Sequence, residues 1–266
     1  MRTANHPSPI SRLKRLLVPA GKSPRKILFG PFRGIRMNLD LSFQTQLYLG
    51  LAEAELNAAL YTLSKDIRSA VNIGAAYGEQ TLFFLKKTPA ETVLSFEPDG
   101  TVREQLLDNL KLNYLEQTPR LRLSSKFVGS QNTSQMCSLD SIALSLPKPC
   151  LVQMDVEGYE VDVLRGAGNF LNQPSVRWII ETHSEALEQT SRQILQQAGY
   201  DTKIVPNAWW RIFLSELRPK LQNRWLIAVP FFRMAPRSEL GPNLLKSRSA
   251  RPSGVRTSFR RPRLQT

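Results

Sequence analysis

From Ser69 onward the chain alternates short apolar runs with stretches in which apolar side chains recur every three or four residues. SAVNIG, TVLSFEP, LRLSSKFVG, PCLVQMDVEG, SVRWIIETH, YDTKIV and RWLIAVP read as seven strands. Between them GEQTLFFLKK, TVREQLLDNLKLNYLEQ and YEVDVLRGAGNFL read as helices. In the second of these Val102, Leu106, Leu110 and Tyr114 share one face. A further helix has Ser184 as its cap, Leu187, Ser191, Ile194, Leu195 and Ala198 on one face, and Gly199 as its stop. Apolar strands alternating with amphipathic helices predict an α/β fold, a doubly wound and mainly parallel sheet of seven strands covered on both faces. Ahead of it, KILFGPFRGIRM carries two apolar runs around Gly30-Pro31 and predicts a hairpin, and residues 43–64 predict one or two helices.

Charge refines this organisation. Residues 1–36 hold nine Lys/Arg and no Asp/Glu, and residues 233–266 hold nine Lys/Arg against Glu239 alone, so the net charge of +14 resides at the two ends and the middle is weakly acidic. A domain that grips a phosphate backbone clusters its cations on the binding face, so a nucleic-acid partner is not expected. The division expected is a basic, flexible start (1–25), a hairpin and helical extension (26–66), the α/β domain (67–232) and a basic tail (233–266). The tail, rich in Arg, Ser, Pro and Gly, reads as a disordered, solvated extension with at most a weak anionic partner. No apolar run reaches the roughly 18 residues of a membrane span, and Met1 to Pro9 hold no signal-peptide core, so a cytoplasmic location is expected. Cys137 and Cys150 have no zinc spacing and read as reduced thiols.

In such sheets ligands bind beyond the carboxyl ends of the strands, beside the first one. There the chain reads Asn72-Ile73-Gly74-Ala75-Ala76-Tyr77-Gly78, with glycines where a Cβ would bar a tight turn or a close ligand. Twenty-three residues past Gly74, Glu97 ends the second strand. An acid in that place can accept hydrogen bonds from both hydroxyls of a ribose, which points to an adenosine-bearing cofactor. Which one stays open on these residues. The GxGxxG pyrophosphate fingerprint is absent, since Ala76 stands where its second glycine would be, and no GxxxxGK[ST] occurs.

VNIGAAYGEQTLFF, LSFEPD, SLDSI, LVQMDVEGYEVDVLRGAG and WIIETHSE, in this order, resemble the successive motifs of the FkbM-type methyltransferases over about residues 40–230. The most specific stretch, DVEGYEVDVLRGA, is similar to that family's D-x-E-G-x-E-x-x-x-L-x-G-A. The resemblance implies a Rossmann-like methyltransferase domain, S-adenosylmethionine as methyl donor, and an acceptor hydroxyl on a small molecule or glycan such as a sugar, a glycolipid or a polyketide. It implies cofactor contacts from Asn72, Gly74, Ala75, Ala76, Tyr77, Gly78, Glu97, Pro98 and Asp155. The family commonly has Asp where this chain has Asn72.

The resemblance sets the transferring methyl near Asp155-Val156-Glu157. Residues two apart in a strand face one way, so both acids are expected in one cleft, holding the sulfonium, orienting the acceptor or taking its proton. Glu157 capping the next helix is the alternative. Glu160 and Asp162 are expected on a solvated face. Glu181 and His183 end the fifth strand, and His183 suits removal of a hydroxyl proton. The expected catalytic set is His183, Asp155 and Glu157. A divalent ion among Asp155, Glu157, Glu181 and His183 is conceivable, although no metal is assigned. Gln46, Tyr48, Glu53 and Glu55 precede the first strand without a firm role, and His6 has none. The rival reading is a nucleic-acid- or membrane-surface-binding protein working through the basic ends.

Overall fold

The computed structural model describes residues 21–208 and 224–231. The basic start up to residue 20 with His6, and the tail at 233–266, lie outside them. All seven expected strands form one sheet. In chain order they are β3 (Ser69–Ile73), β4 (Thr92–Phe96), β5 (Leu121–Ser124), β8 (Cys150–Met154), β9 (Val176–Thr182), β10 (Tyr200–Val205) and β11 (Arg224–Pro230), arranged β10-β11-β9-β8-β3-β4-β5. Strands β5, β4, β3, β8 and β9 run parallel, whereas β11 is antiparallel to both β9 and β10.

The central strands read as unbroken apolar runs because both faces are covered, and every residue of β3 and β8 is buried. Alternation along each strand divides the core in two. Cys150, Val152, Met154, Trp178 and Ile180 pack on one face, and Leu151 and Ile179 on the other. The second face also receives Leu82, Phe83 and Phe84 of helix α3 (Glu79–Lys87) and Leu106 and Leu110 of α4 (Gly100–Lys111).

The N-terminal extension joins this second core through Ile27, Phe32, Ile35, Met37, Leu39, Leu47, Leu56 and Leu60. Its hairpin is real but shifted outward from the expected runs. Strands β1 (Lys22–Lys26) and β2 (Arg36–Asp40) pair antiparallel, and most of KILFGPFRGI forms the connection. The following stretch breaks into α1 (Thr45–Tyr48), a 3₁₀ turn at Ala54–Leu56 and α2 (Asn57–Ser64). Two asparagines of α4 and its C-terminal turn dock the hairpin. Asn109 accepts from Asn38 N (2.8 Å) and donates to Tyr77 O (2.8 Å), and Asn113 accepts from Arg36 N (3.1 Å) and donates to Arg36 O (2.6 Å).

Other expectations are amended. LRLSSKFVG breaks after Ser124, and Phe127–Val128 (β6) pairs instead with Met136–Cys137 (β7). Tyr114 lies beyond α4 and is 84% exposed, while Asn109 takes the buried position on that face. SLDSI supplies α5 (Leu139–Ile142), and the signature supplies α6 (Glu160–Arg165) and α7 (Gly168–Leu171). Helix α8 (Glu185–Gln197) has the expected cap, Ser184 Oγ accepting from Leu187 N (3.2 Å), but it buries Glu188, Ser191 and Leu195. Glu188 is paired with Arg224 Nη2 at 2.7 Å. Cys137 and Cys150 are free and buried, and burial pushes the Cys150 thiol up to about 11. Among the described residues no helix is long and apolar enough to cross a membrane.

Candidate active site

The turn after β3 is built against the end of β4. Gly74 N and Ala75 N donate to Phe96 O (3.1 and 2.9 Å), and Ala76 N donates to Glu97 Oε2 (2.9 Å). Asp99 N donates to the other carboxylate oxygen (2.9 Å), so two backbone groups fix Glu97 in place. Gly74 has φ +80°, and a Cβ there would lie 1.8 Å from Asp155 O, because the chain leaving β8 crosses it closely. Gly78 has φ +93° at the start of α3, and a Cβ there would meet Leu106 at 2.8 Å. Both glycines are therefore demanded by geometry, and their turn leaves backbone open at the mouth of the sheet.

Asn72 departs from its expected role as a cofactor contact. Its side chain is 1% exposed, and Nδ2 donates to Thr81 Oγ1 (3.0 Å), which in turn shares a hydrogen bond with Ser95 Oγ (2.9 Å). One position before Ile73, it faces the underside of α3 rather than the cleft. The amide in place of the family's acid thus has a hydroxyl acceptor inside the core.

A cavity of about 400 Å³ opens at this end of the sheet and brings together the expected Gly74, Glu97, Pro98, Asp155 and Glu157. Its remaining wall, including Phe96, Phe127, Val128, Met136 and Tyr159, was not foreseen. Phe127 and Met136 arrive through the small β6–β7 pair, which the unbroken run LRLSSKFVG conceals. Tyr159 stood in the signature and could have been assigned from it. Ala75, Ala76 and Tyr77 belong to the turn without lining this cavity. A neighbouring cavity of about 420 Å³ shares Phe96, Lys126 and Met136 with it. Tyr77 lines another, of about 200 Å³, with Gln46 and Glu53 of the extension. Tyr48 packs against the second core, and Glu55 accepts from Ala208 N (2.8 Å).

The acids and His183 do converge, though not by the strand alternation expected of them. Strand β8 ends at Met154, so Asp155 and Glu157 stand in a loop, and strand alternation does not govern them. His183 Nε2 nevertheless lies 3.3 Å from Asp155 Oδ1, 3.9 Å from Glu157 and 4.0 Å from Glu181. Its Nδ1 is 2.5 Å from Glu160 Oε1. Glu160, expected on a solvated face, is 0% exposed, and Gly158 N also donates to it (3.3 Å). Asp162 is likewise engaged, by Ser130 N (3.0 Å) and Ser130 Oγ (2.7 Å). Glu157 does not cap a helix, because α6 begins at Glu160 with no side-chain cap and the Glu157 side chain is 86% exposed.

Burial pulls the His183 imidazole down, but the hydrogen bonds and charges of Asp155 and Glu160 outweigh it and push it up to about 10. Held between these acids, the ring keeps its proton more firmly than a free imidazole does. Asp155, Glu181 and His183 present ligand atoms within 4.8 Å of one another, a spacing that suits a cation.

Comparison with known proteins matches residues 115–202 to the Methyltransferase FkbM domain. Among solved structures, a methyltransferase FkbM from Methylobacillus flagellatus superposes with a TM-score of 0.50 at 19% identity, over 62% of this chain and 44% of that one. The chain thus spans less than half the length of that protein. A precorrin-6y C5,15-methyltransferase from Geobacter metallireducens is 14% identical over 67% of this chain and 88% of that chain, with a TM-score of 0.46. A ribosomal protein L11 methylase from Lactobacillus delbrueckii subsp. bulgaricus is 11% identical over 66% and 77%, with a TM-score of 0.47. No curated protein sequence matches. The resemblance read from the motifs therefore stands: the chain is FkbM-like, matching that domain in sequence over residues 115–202 and carrying a Rossmann-like methyltransferase fold.

Proposed function

We propose that this chain is an S-adenosylmethionine-dependent methyltransferase that methylates a hydroxyl oxygen of a small acceptor such as a sugar, a glycolipid head group or a secondary metabolite. The observation that carries the reading is Glu97. Each of its oxygens accepts one backbone N–H, which orients the carboxylate and leaves lone pairs free at the cleft for the two hydroxyls of a ribose.

The rest of the cavity fits the same cofactor. Phe96, Phe127, Val128 and Met136 form an apolar wall suited to a purine, and Gly74 removes the side chain that would fill the turn. Asp155 and Glu157 place negative charge at the other end, where a sulfonium and an ammonium group find compensation. The cofactor, once bound, supplies a methyl group already activated for displacement. What remains for the protein is to hold the acceptor oxygen in line with that methyl, exclude water and accept a proton. His183 and Glu160 act behind Asp155, and their hydrogen bonds fix the direction of its carboxylate.

Calorimetric titration with S-adenosylhomocysteine tests this proposal. The parent is expected to bind it, and Glu97→Ala to weaken binding tenfold or more, about 1.4 kcal/mol, since both ribose hydrogen bonds are lost together. No binding by the parent, or equal binding by both, would remove the ground for the reading.

A further inference from the structure

We propose that the turn of the N-terminal hairpin and the end of α3 form a docking surface for an anionic lipid bilayer, with Lys26, Arg33, Arg36, Lys86 and Lys87 meeting the head groups and Leu28 and Phe29 entering the interface. This surface belongs to the extension and the back of one helix, so it stands apart from the methyl-transfer reading above.

Lys26 and Arg36 are directly opposite each other in the β1–β2 pairing, and both are exposed. Like charges facing each other across two strands weaken a hairpin. Beside them the chain turns at Gly34, where a Cβ would lie 3.8 Å from Lys26 Cε and 4.0 Å from Lys87 Nζ, so the end of α3 brings further cations to the same spot. Lys86 is Lys87's neighbour in that last turn. Burial, then the charges of Lys87 and Arg36, hold the Lys86 ammonium below its usual range, in keeping with strand and helix ends that lie together. Arg33 is exposed in the same turn. Among the described residues none of these five cations is paired with an acid, whereas Arg68, Lys111, Arg177 and Arg224 each have a carboxylate partner. The dipole of α3 accounts for two cations at its carboxyl end. It does not account for Lys26 opposite Arg36, a costly arrangement that an anionic surface relieves.

Leu28 and Phe29 stand two and three positions after Lys26 and are 38% and 60% exposed. Backbone packing holds them there. Ile27 N donates to Ile35 O and Gly34 N to Ile27 O (both 2.9 Å), and Leu28 N donates to Tyr48 O (3.0 Å). Gly50, with φ +69°, lies so close that a Cβ on it would come 2.2 Å from Phe29 O. Ile27, Phe32 and Ile35 anchor the turn in the core, so it presents two apolar side chains among cations as a fixed surface. A bilayer interface takes both kinds of group at once, apolar side chains at the head-group boundary and cations against anionic lipids. A nucleic-acid backbone would meet the cations and leave Leu28 without a partner, so the bilayer is the occupant that uses the whole surface.

Sedimentation of the full chain with vesicles of phosphatidylcholine alone, or with about one part in three phosphatidylglycerol, tests the surface. The basic ends of the chain add their own attraction, so the comparison of variants decides. Each cation near an anionic surface strengthens binding roughly fivefold. Lys26→Glu should therefore bind the anionic vesicles roughly fivefold or more weakly, yet melt no lower than the parent, because it sets opposite charges in place of like ones across the hairpin. Lys87→Glu should lose as much without touching the hairpin. Phe29→Ser should weaken binding by about threefold or more. Lys203→Glu, which changes the net charge equally on β10 at the edge of the sheet, should bind like the parent. A parent that ignores the anionic vesicles or binds neutral ones as well, Lys26→Glu and Lys87→Glu that bind like the parent, or an equal loss in Lys203→Glu overturns the proposal. So does Phe29→Ser binding like the parent, which would assign the cations to a polyanion such as nucleic acid instead.

Discussion

Gly74→Ala is expected to destabilise the protein by about 2–5 kcal/mol and to abolish binding of S-adenosylhomocysteine. A left-handed backbone costs an alanine roughly 1–2 kcal/mol, and forcing atoms into a filled space adds about 1–3 kcal/mol more. The space here is filled by backbone: a Cβ would sit 1.8 Å from Asp155 O, and Asp155 N is itself bonded to Ile73 O (2.9 Å). Neither strand can yield without opening the β3–β8 pairing at its carboxyl end, and that end is the floor of the cleft. Urea denaturation with calorimetry measures both effects. A variant within about 1 kcal/mol of the parent that still binds the ligand would show that the two chains do not cross so closely.

Replacing His183 by alanine should cost about 3–5 kcal/mol near neutral pH, the penalty for stripping a buried charge of its partner. The charge left behind is Glu160, 0% exposed, to which Gly158 N also donates. The pH dependence has a definite sign. The imidazole is raised in the folded state from 6.5 to about 10, so its stabilising contribution is complete below pH 6.5, declines as pH rises from there, and is gone above about 10. Unfolding of parent and variant across that window should therefore converge with rising pH. A gap that stays constant, or is under about 1 kcal/mol at neutral pH, would mean that Glu160 and His183 are not an ion pair. Nitrogen chemical shifts of the ring, still those of an imidazolium at about pH 8, give an independent check.

Much of the architecture was legible because burial on both faces leaves a plain mark: SAVNI, CLVQM and VRWIIET are apolar runs bounded by turns, and each is a strand. The hairpin was legible in kind but not in register, since only Met37 and Leu39 of its paired residues enter the core, and a single buried face in a polar strand leaves little pattern. The turn and Glu97 were legible through spacing, because one strand and one helix carry the chain from Gly74 to the neighbouring strand end. Glu160 was not. A glutamate at the start of a helix looks like any solvated charge, and the His183 that pairs with it stands 23 residues away, just past the end of β9. Asn72 was misplaced because its type matched a contact expected of the family, whereas the side it faces depends on how α3 lies across β3.

The reversed strand at the sheet's edge has a consequence for the cleft. Strand β10 runs parallel to β9 and β11 runs against both, so Val205, Trp225 and Glu181 lie in one row at the end of the sheet where the cleft opens. The chain thus leaves β10 and enters β11 at that same end. The connection between these two points, which lies mostly outside the described residues, therefore starts and finishes beside the cleft.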